Sequence, residues 1–420
     1  MAPRAPTRAT PFDKAMMKLV TSLLAAGVAA TAPKKNPGAN TARWMTHSNS
    51  WGYLHTLAKP GQVEDGAKPD ASVESFSDGA VGKSSGRLFF YLMGGETNAA
   101  PYKASLTLSQ TGINGTCFTG GAQVDPEDPR CAKLTITGTM KPSTGADIAT
   151  GKAALFARHP QMKTWPPSHG FAVHELSVEN IWQIYFYGGG SSVTPKEYFA
   201  ATPEHDTPSW PPGRRMEEET NALITAHHPQ ITSTPPPWNQ TAARARWLVY
   251  HSIWTSIGTI SVGSSGTIKG SPWGNIRSVA DGMLTNSTGL PVLYVPTPDP
   301  TAKDLAADPS CTLSFSEAAL KERMTTKGAV CGGKDAMDPT CARLHMHGHL
   351  VPLTDKKDIA QAEVDLGQRH PLAPWLAGGG AHTGGSYYTV HIDSLMFLDY
   401  YGGPAKLTPK DYMAAPHPTM

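Results

Sequence analysis

Apolar and polar residues alternate in short stretches of this chain, and the stretches come in pairs. Ser105-Leu106-Thr107-Leu108-Ser109 alternates strictly, as does Thr312-Leu313-Ser314-Phe315-Ser316. Every second side chain of a strand shares a face, so both predict half-buried strands. Lys133 to Gly138 and Arg343 to Gly348 alternate in the same way. Leu88 to Leu92 and Pro291 to Val295 are apolar and aromatic, strand-like runs. A last strand is predicted over Asn180 to Tyr187 and over Ser394 to Tyr401, each ending in Gly-Gly. Helical signals are fewer. Short helices are expected around Arg43 and Arg246. Thr354 is placed to cap a helix from Asp355 to Gln368 with Ile359, Ala362 and Leu366 on one face, and a weaker copy runs from Thr144 to Arg158. Thr194-Pro195-Lys196-Glu197 reads as a capping box with Pro at the first helical position; Thr408-Pro409 with Asp411 repeats it.

The pairing extends beyond the periodicity. Ala42-Arg43-Trp44 returns as Ala245-Arg246-Trp247, 203 residues on, and Trp51, Ser75 and Asp78-Gly79 return as Trp254, Ser278 and Asp281-Gly282. Asp128-Pro129-Arg130-Cys131 returns as Asp338-Pro339-Thr340-Cys341, and Arg158-His159-Pro160 as Arg369-His370-Pro371. A period this long marks a duplicated domain, since solenoid repeats run to roughly 20–50 residues. The expected organisation is domain A over 40–201, a Pro-rich linker over 202–240 and domain B over 241–415. The fold class is mainly β with short helices (α+β), most simply two small closed barrels.

Composition narrows the setting. The net charge of +2 has no basic block behind it, so nucleic acid is not an expected partner. Lys14 and Lys18 precede the apolar run Leu19 to Ala30, which reads as a secretory signal over 1–32 and is too short to span a bilayer; no membrane span is expected elsewhere. Three sequons begin at Asn114, Asn239 and Asn286, candidate glycosylation sites in a secreted chain. Cys117 with Cys131, and Cys331 with Cys341, bracket equivalent loops and suggest two local disulfides; Cys311 is left over.

These landmarks together resemble the CREG family of secreted glycoproteins. The resemblance rests on Ala42-Arg43-Trp44 through His47 to Trp51-Gly52, on Ser75 to Gly79, on Asp125 to Ala132, on Arg158-His159-Pro160 with Trp165-Pro166, and on the terminal Tyr-Gly-Gly followed by a Thr-Pro helix. Copy B departs from it: Tyr250 replaces His47, Thr255 replaces Gly52, and a glycine-rich insertion follows Trp375. The resemblance implies an FMN-binding split β-barrel, related to pyridoxamine-phosphate oxidase, in a family generally regarded as having lost flavin. It also implies pairing of barrels, glycosylation and residence in the secretory or endolysosomal (lysosome-directed) system. Here the two copies are expected to pair within one chain as a pseudo-dimer, with a protein or glycan receptor as outside partner.

A flavin phosphate needs converging cationic and hydroxyl donors, and Lys83, Ser84, Ser85 and Arg87 are the best set in copy A; copy B has Asn286-Ser287-Thr288 and Leu290 there. If flavin binds, an FMN-dependent oxidoreductase of the pyridoxamine-phosphate-oxidase type using the domain A pocket is the alternative function. The expectation is nevertheless no cofactor, no catalytic residue and a balance leaning away from an enzyme. His345, His347 and His349 share one strand face and form a weak metal candidate, read chiefly as a solvated face because copy A has threonines there. His159 and His370 are expected to meet a helix dipole, and Asp78 and Asp281 to form turns. Trp44, Trp51 and Trp165 with their partners are expected in the core or between domains. No Gly-x-Ser-x-Gly elbow and no zinc-protease motif occurs.

Overall fold

The computed structural model describes residues 37–57, 68–94, 101–114, 117–119, 122–204, 228–320, 323–324, 330–376 and 384–418. The signal segment, Gly115 and Thr116 of the first sequon, the charged patch Arg214 to Glu219 and the glycine-rich insertion lie outside the described residues. Among the described residues no helix is long and apolar enough to cross a membrane.

Each repeat closes into a barrel of six antiparallel strands. In the first, β1 (Trp51–Leu57), β2 (Pro69–Ser77), β3 (Leu88–Leu92), β4 (Tyr102–Ser109), β7 (Lys133–Pro142) and β8 (Ala172–Ile184) take the order β3-β2-β1-β4-β7-β8, and β3 pairs with β8 to close the ring. The hairpin β5 (Cys117–Thr119) and β6 (Ala122–Val124) stands apart, and β9 (Ser191–Val193) adds to β8. The second barrel repeats the plan with β10 (Trp254–Ile260), β11 (Pro272–Ala280), β12 (Val292–Val295), β13 (Ser310–Ser316), β14 (Arg343–Pro352) and β15 (Ser386–Leu398), closed by β12 on β15 and extended by β16 (Ala405–Leu407). Among the described residues eight short helices flank them: α1 (Pro37–Ser48), α2 (Thr111–Asn114), α3 (Ala146–Arg158), α4 (Pro195–Ala200), α5 (Thr241–His251), α6 (Pro300–Ala307), α7 (Lys356–Arg369) and α8 (Pro409–Ala414). The architecture is the one expected, mainly β with short helices and two tandem barrels.

Local chemistry accounts for most boundaries. The Thr194 hydroxyl accepts from the Glu197 N–H while the Glu197 side chain returns to the Thr194 N–H, the full capping box. Thr408 likewise accepts from the Asp411 N–H at 3.1 Å. The cap of α7 is Asp355, not Thr354: its carboxylate accepts from the Lys357 N–H at 2.7 Å. Both long last strands start earlier than the periodicity indicates, at Ala172 and Ser386. Their first halves hydrogen-bond to β3 and β12 across the barrel closure, a long-range pairing with no local signature. Gly138 and Gly348 mark a register shift at the same place in each barrel. A Cβ on either would sit about 2 Å from a carbonyl oxygen of the neighbouring strand, so only glycine fits these bulges.

The alternation also has an outcome that the half-buried reading does not anticipate. Both faces of β4 and β13 are buried. Their apolar face fills the barrel, and their Ser and Thr face is covered by the other barrel. β2 packs on β10, β13 and β14, while its equivalent β11 packs on β1, β4 and β7. Polar contacts stitch this seam. The Thr135 hydroxyl donates to the Gly274 carbonyl at 2.7 Å, the Thr312 hydroxyl to the Pro69 carbonyl at 2.6 Å, and His55 Nε2 lies 2.9 Å from the Ser256 hydroxyl. Trp51 stacks on Trp254 with centroids 6.2 Å apart, beside Tyr53 and Ile276 in one shared apolar cluster. Such aromatic pairs contribute about 0.5–1.5 kcal/mol beyond area burial.

Candidate functional site

The loop that holds Lys83, Ser84, Ser85 and Arg87 connects β2 to β3. Asp78, buried at the end of β2, organises it: the Ser84 hydroxyl bonds its carboxylate, and the Ser85 hydroxyl bonds its carbonyl at 2.5 Å. The Arg43 guanidinium donates to the Ser84 hydroxyl at 2.7 Å. Arg87 is held by Glu175 at 2.8 and 2.7 Å and by Asp147 at 2.9 Å, and these carboxylates raise its pKa further above the usual range despite partial burial. Lys83 is exposed at the tip. Copy B builds the same frame without the cations. The Arg246 guanidinium donates to the Ser287 hydroxyl at 2.7 Å, and that hydroxyl donates to Asp281 at 2.6 Å. The Asp281 carboxylate also accepts from the Thr288 and Gly289 N–H groups at 2.9 and 2.5 Å, the turn-forming role expected of it. Asp78 does something further, accepting from or pairing with His47 Nδ1 at 2.8 Å.

The three strand histidines divide. His349 is half-buried and His391 exposed, both within 3.8 Å of Asp393. His347 is buried rather than solvated and reaches across the seam to Asp70 at 2.9 Å. His345 meets the Ser314 hydroxyl at 3.2 Å. The solvated-face reading fails for His345 and His347 because the first barrel packs on this face through β2. Burial, partly opposed by the Asp70 charge, pushes His345 down to about 4 and His55 down to about 3.

Both disulfide loops cross the seam through residues that no local sequence pattern marks. Cys117 is bonded to Cys131 and Cys331 to Cys341, while Cys311 is free and buried. Within the first loop, Asp125 leaves its own barrel. It lies 2.7 Å from His370 Nδ1 and accepts from the Ser278 hydroxyl at 2.6 Å. Asp335 of the second loop does the same in reverse, 2.7 Å from His159 Nδ1 and bonded by the Ser75 hydroxyl. Each aspartate also accepts from the N–H two residues on, Glu127 or Met337, at 2.9 Å. The second nitrogen of each histidine faces a backbone carbonyl, Val279 at 2.9 Å and Phe76 at 3.0 Å. These carboxylate and carbonyl oxygens are acceptors, so each imidazole nitrogen facing one is placed to donate. His159 and His370 do end their helices as expected, each returning its N–H to the helix at 2.7 Å. Their side chains additionally tie each barrel to the other's loop. The only sequence signal was the repeated Ser, Asp and His at matching positions.

Beside the first loop a cavity of about 200 Å³ opens between the barrels, lined by Glu127, Lys133, Trp182, Arg277, Asp299 and Trp375 among others. Arg277 is fully buried, 2.5 Å from Glu127 and 2.6 Å from Asp299. Burial works against the Asp299 charge, but Arg277 overcomes it and holds this carboxyl below its ordinary range. Burial lowers the Lys133 ammonium. The equivalents of Arg277, Glu127 and Lys133 are Glu74, Met337 and Arg343, so a glutamate and a methionine stand where the first side has the buried arginine and its Glu127 partner.

Two reciprocally locked antiparallel barrels in one chain, joined by a polar seam, define the class as a tandem β-barrel protein. The sequence model described as "CREG, beta-barrel" matches residues 33–200 and again 236–414. The chain belongs to the CREG β-barrel family. It is 36% identical over 176 residues to the human protein named CREG1, covering 40% of this chain and 77% of that one. It is 35% identical over 207 residues to mouse CREG2, covering 48% and 70%. Among solved structures, a heme binding protein from Mycobacterium smegmatis aligns with TM-score 0.32 and 15% identity, covering 44% of this chain and 62% of that one. A pyridoxinephosphate oxidase family protein from Clostridium acetobutylicum aligns with TM-score 0.27 and 14% identity, covering 41% and 97%. Scores this low add nothing to the topology described above.

Proposed function

We propose that this protein is a secreted or endolysosomal glycoprotein whose paired barrels act by binding and recognition rather than by turnover, with a protein or glycan receptor as partner. The observation that carries this reading is the engagement of the Ser84, Ser85 and Arg87 side chains in the candidate phosphate loop. Arg87 is neutralised by two carboxylates, and Ser84 and Ser85 are bound to Asp78. A phosphate dianion there would have to displace Glu175 and Asp147, so these residues do not fit the group. The inter-barrel cavity offers no substitute. Its volume of about 200 Å³ is below the roughly 300–1,000 Å³ of small-molecule pockets, and its arginine already faces two carboxylates.

Other observations agree with a recognition role. Asn239 and Asn286 are exposed, as glycan attachment requires. Trp238 is 56% exposed and stacks on Tyr400 at 4.8 Å, next to Tyr401 at 60%, an aromatic surface of the kind that marks contact sites. The test is to express the full chain in a eukaryotic secretion host. The expected product is in the medium, shifts on glycosidase treatment by an amount reduced in Asn239→Gln and Asn286→Gln, and shows no flavin absorbance even after incubation with FMN. Stoichiometric FMN that is lost in Arg87→Ala would overturn the reading in favour of a flavin oxidoreductase. Retention of an unglycosylated chain inside the cell would overturn the glycoprotein half.

A further inference from the structure

The two cross-barrel bridges differ in one residue. Next to the Asp125–His370 pair lies His228, contributed by the connecting segment and 2% exposed. Asp125, His228 and His370 each present a ligand atom within 4.8 Å of the others, and all three are buried. Among the described residues this is the one such group, and the pseudo-equivalent pair Asp335–His159 has no third member.

The outer contacts of the three are those of a metal site. His228 Nδ1 faces the Arg369 carbonyl at 3.0 Å, an acceptor, so Nδ1 carries the proton and Nε2 keeps the lone pair. That Nε2 is buried with no hydrogen-bond partner among the described residues. A buried acceptor of this kind is costly to leave unsatisfied. His370 turns its Nε2–H to the Val279 carbonyl and leaves Nδ1 inward. Asp125 has one oxygen held by the Ser278 hydroxyl and the Glu127 N–H, and turns the other to His370. Metal-ligating histidines almost always donate their second N–H to a carbonyl or carboxylate, and ligating carboxylates are themselves hydrogen-bonded. All three outer positions are filled here in that manner.

We propose that Asp125, His228 and His370 bind one divalent transition ion of the Zn²⁺ class, clamping the first disulfide loop and the connecting segment onto the second barrel. The ion replaces the His370 Nδ1 proton, which leaves to solvent, so binding releases one proton per ion. His370 Nδ1 and the Asp125 oxygen, 2.7 Å apart, separate to about 3.3 Å around a tetrahedral ion with bonds of about 2.0–2.1 Å. Water takes the fourth position, as in three-ligand zinc sites.

The full chain, produced in zinc-supplemented medium and dialysed against metal-free buffer, is assayed by elemental mass spectrometry. The expected result is one zinc per chain. His228→Gln should lower retention at least about tenfold, the effect of losing even an outer-shell partner, while His159→Gln and His391→Gln retain the ion. Zinc-edge X-ray absorption of the unmodified chain needs no variant and should count two imidazoles and oxygen. The proposal is overturned if the loaded wild type holds no zinc, if His228→Gln holds as much as wild type, if His391→Gln rather than His228→Gln loses it, or if the spectrum lacks two imidazoles.

Discussion

The Asp125–His370 and Asp335–His159 bridges are the same device built twice, and they have drifted apart. Both use a disulfide-loop aspartate, a helix-ending histidine, a β-strand serine and a backbone carbonyl. Around the first bridge the chain has added His228, Arg277, Glu127 and Asp299. Around the second, Met337 fills the place of Glu127 and packs with Phe89, Leu155 and Met162. Glu127 thus stands in a charged cluster and its counterpart Met337 in an apolar one. In a homodimer the two sides must be identical, because one sequence supplies both. Fusion into one chain lifts that constraint, so each side can change independently.

Four measurements bear on this comparison. The largest effect is expected from Arg277→Ala, which leaves Glu127 and Asp299 buried without their cation. A loss of about 3–5 kcal/mol in urea unfolding is expected, against little change for Met337→Leu on the apolar side; equal losses would erase the distinction. Next come the bridges themselves. Asp125→Asn and Asp335→Asn should each cost about 1.5–3 kcal/mol, the range for hydrogen bonds to charged groups. The Asp125 change should cost more, since it faces two histidines, and the reverse order would break the comparison.

The third concerns pH. Burial lowers His55 to about 3, and His345 and His228 to about 4. Their folded-state values lie below the unfolded value of about 6.5, so their stabilising contribution is present above that pH and is lost as pH falls from about 6.5 toward 4. If all three act, the loss is on the order of 2 kcal/mol between pH 7 and 6. His55→Gln should flatten the pH profile of the melting temperature; an unchanged profile sinks the assignment to the seam. Asp70, Asp125 and Asp335 are held below their ordinary range, against burial, by their histidine partners, and add a further loss under more acidic conditions. The smallest effect is expected from Lys83→Ala. The side chain is exposed, and stability should stay within about 0.5 kcal/mol. A larger loss would show that the loop uses its cation structurally.

Much of the scaffold was legible without coordinates. Strict alternation located β4, β7, β13 and β14, Thr-Pro located α4 and α8, and matching cysteines located both disulfides. These features depend on neighbours a few residues apart. The starts of β8 and β15 were missed because barrel closure determines them. Of the site residues, Asp125 stood in view as part of a matching segment and His370 as a helix end, yet nothing local says that an aspartate in one repeat meets a histidine in the other. His228 had no signal at all. It lies in the Pro-rich linker, whose end docks on the second barrel through Ile231 and Arg323. The strand histidines show the converse error, a polar face taken for a wet one.

The sequence by itself determined the duplication, the strands, the caps and the closed loops, because each follows from periodicity or from short-range bonding. Only the tertiary structure decided which polar faces are buried, which loop serves which barrel and where charge collects. Those outcomes depend on the apposed barrel, which removes water from Ser, Thr and His side chains and leaves them protein groups, many of them across the seam, as partners.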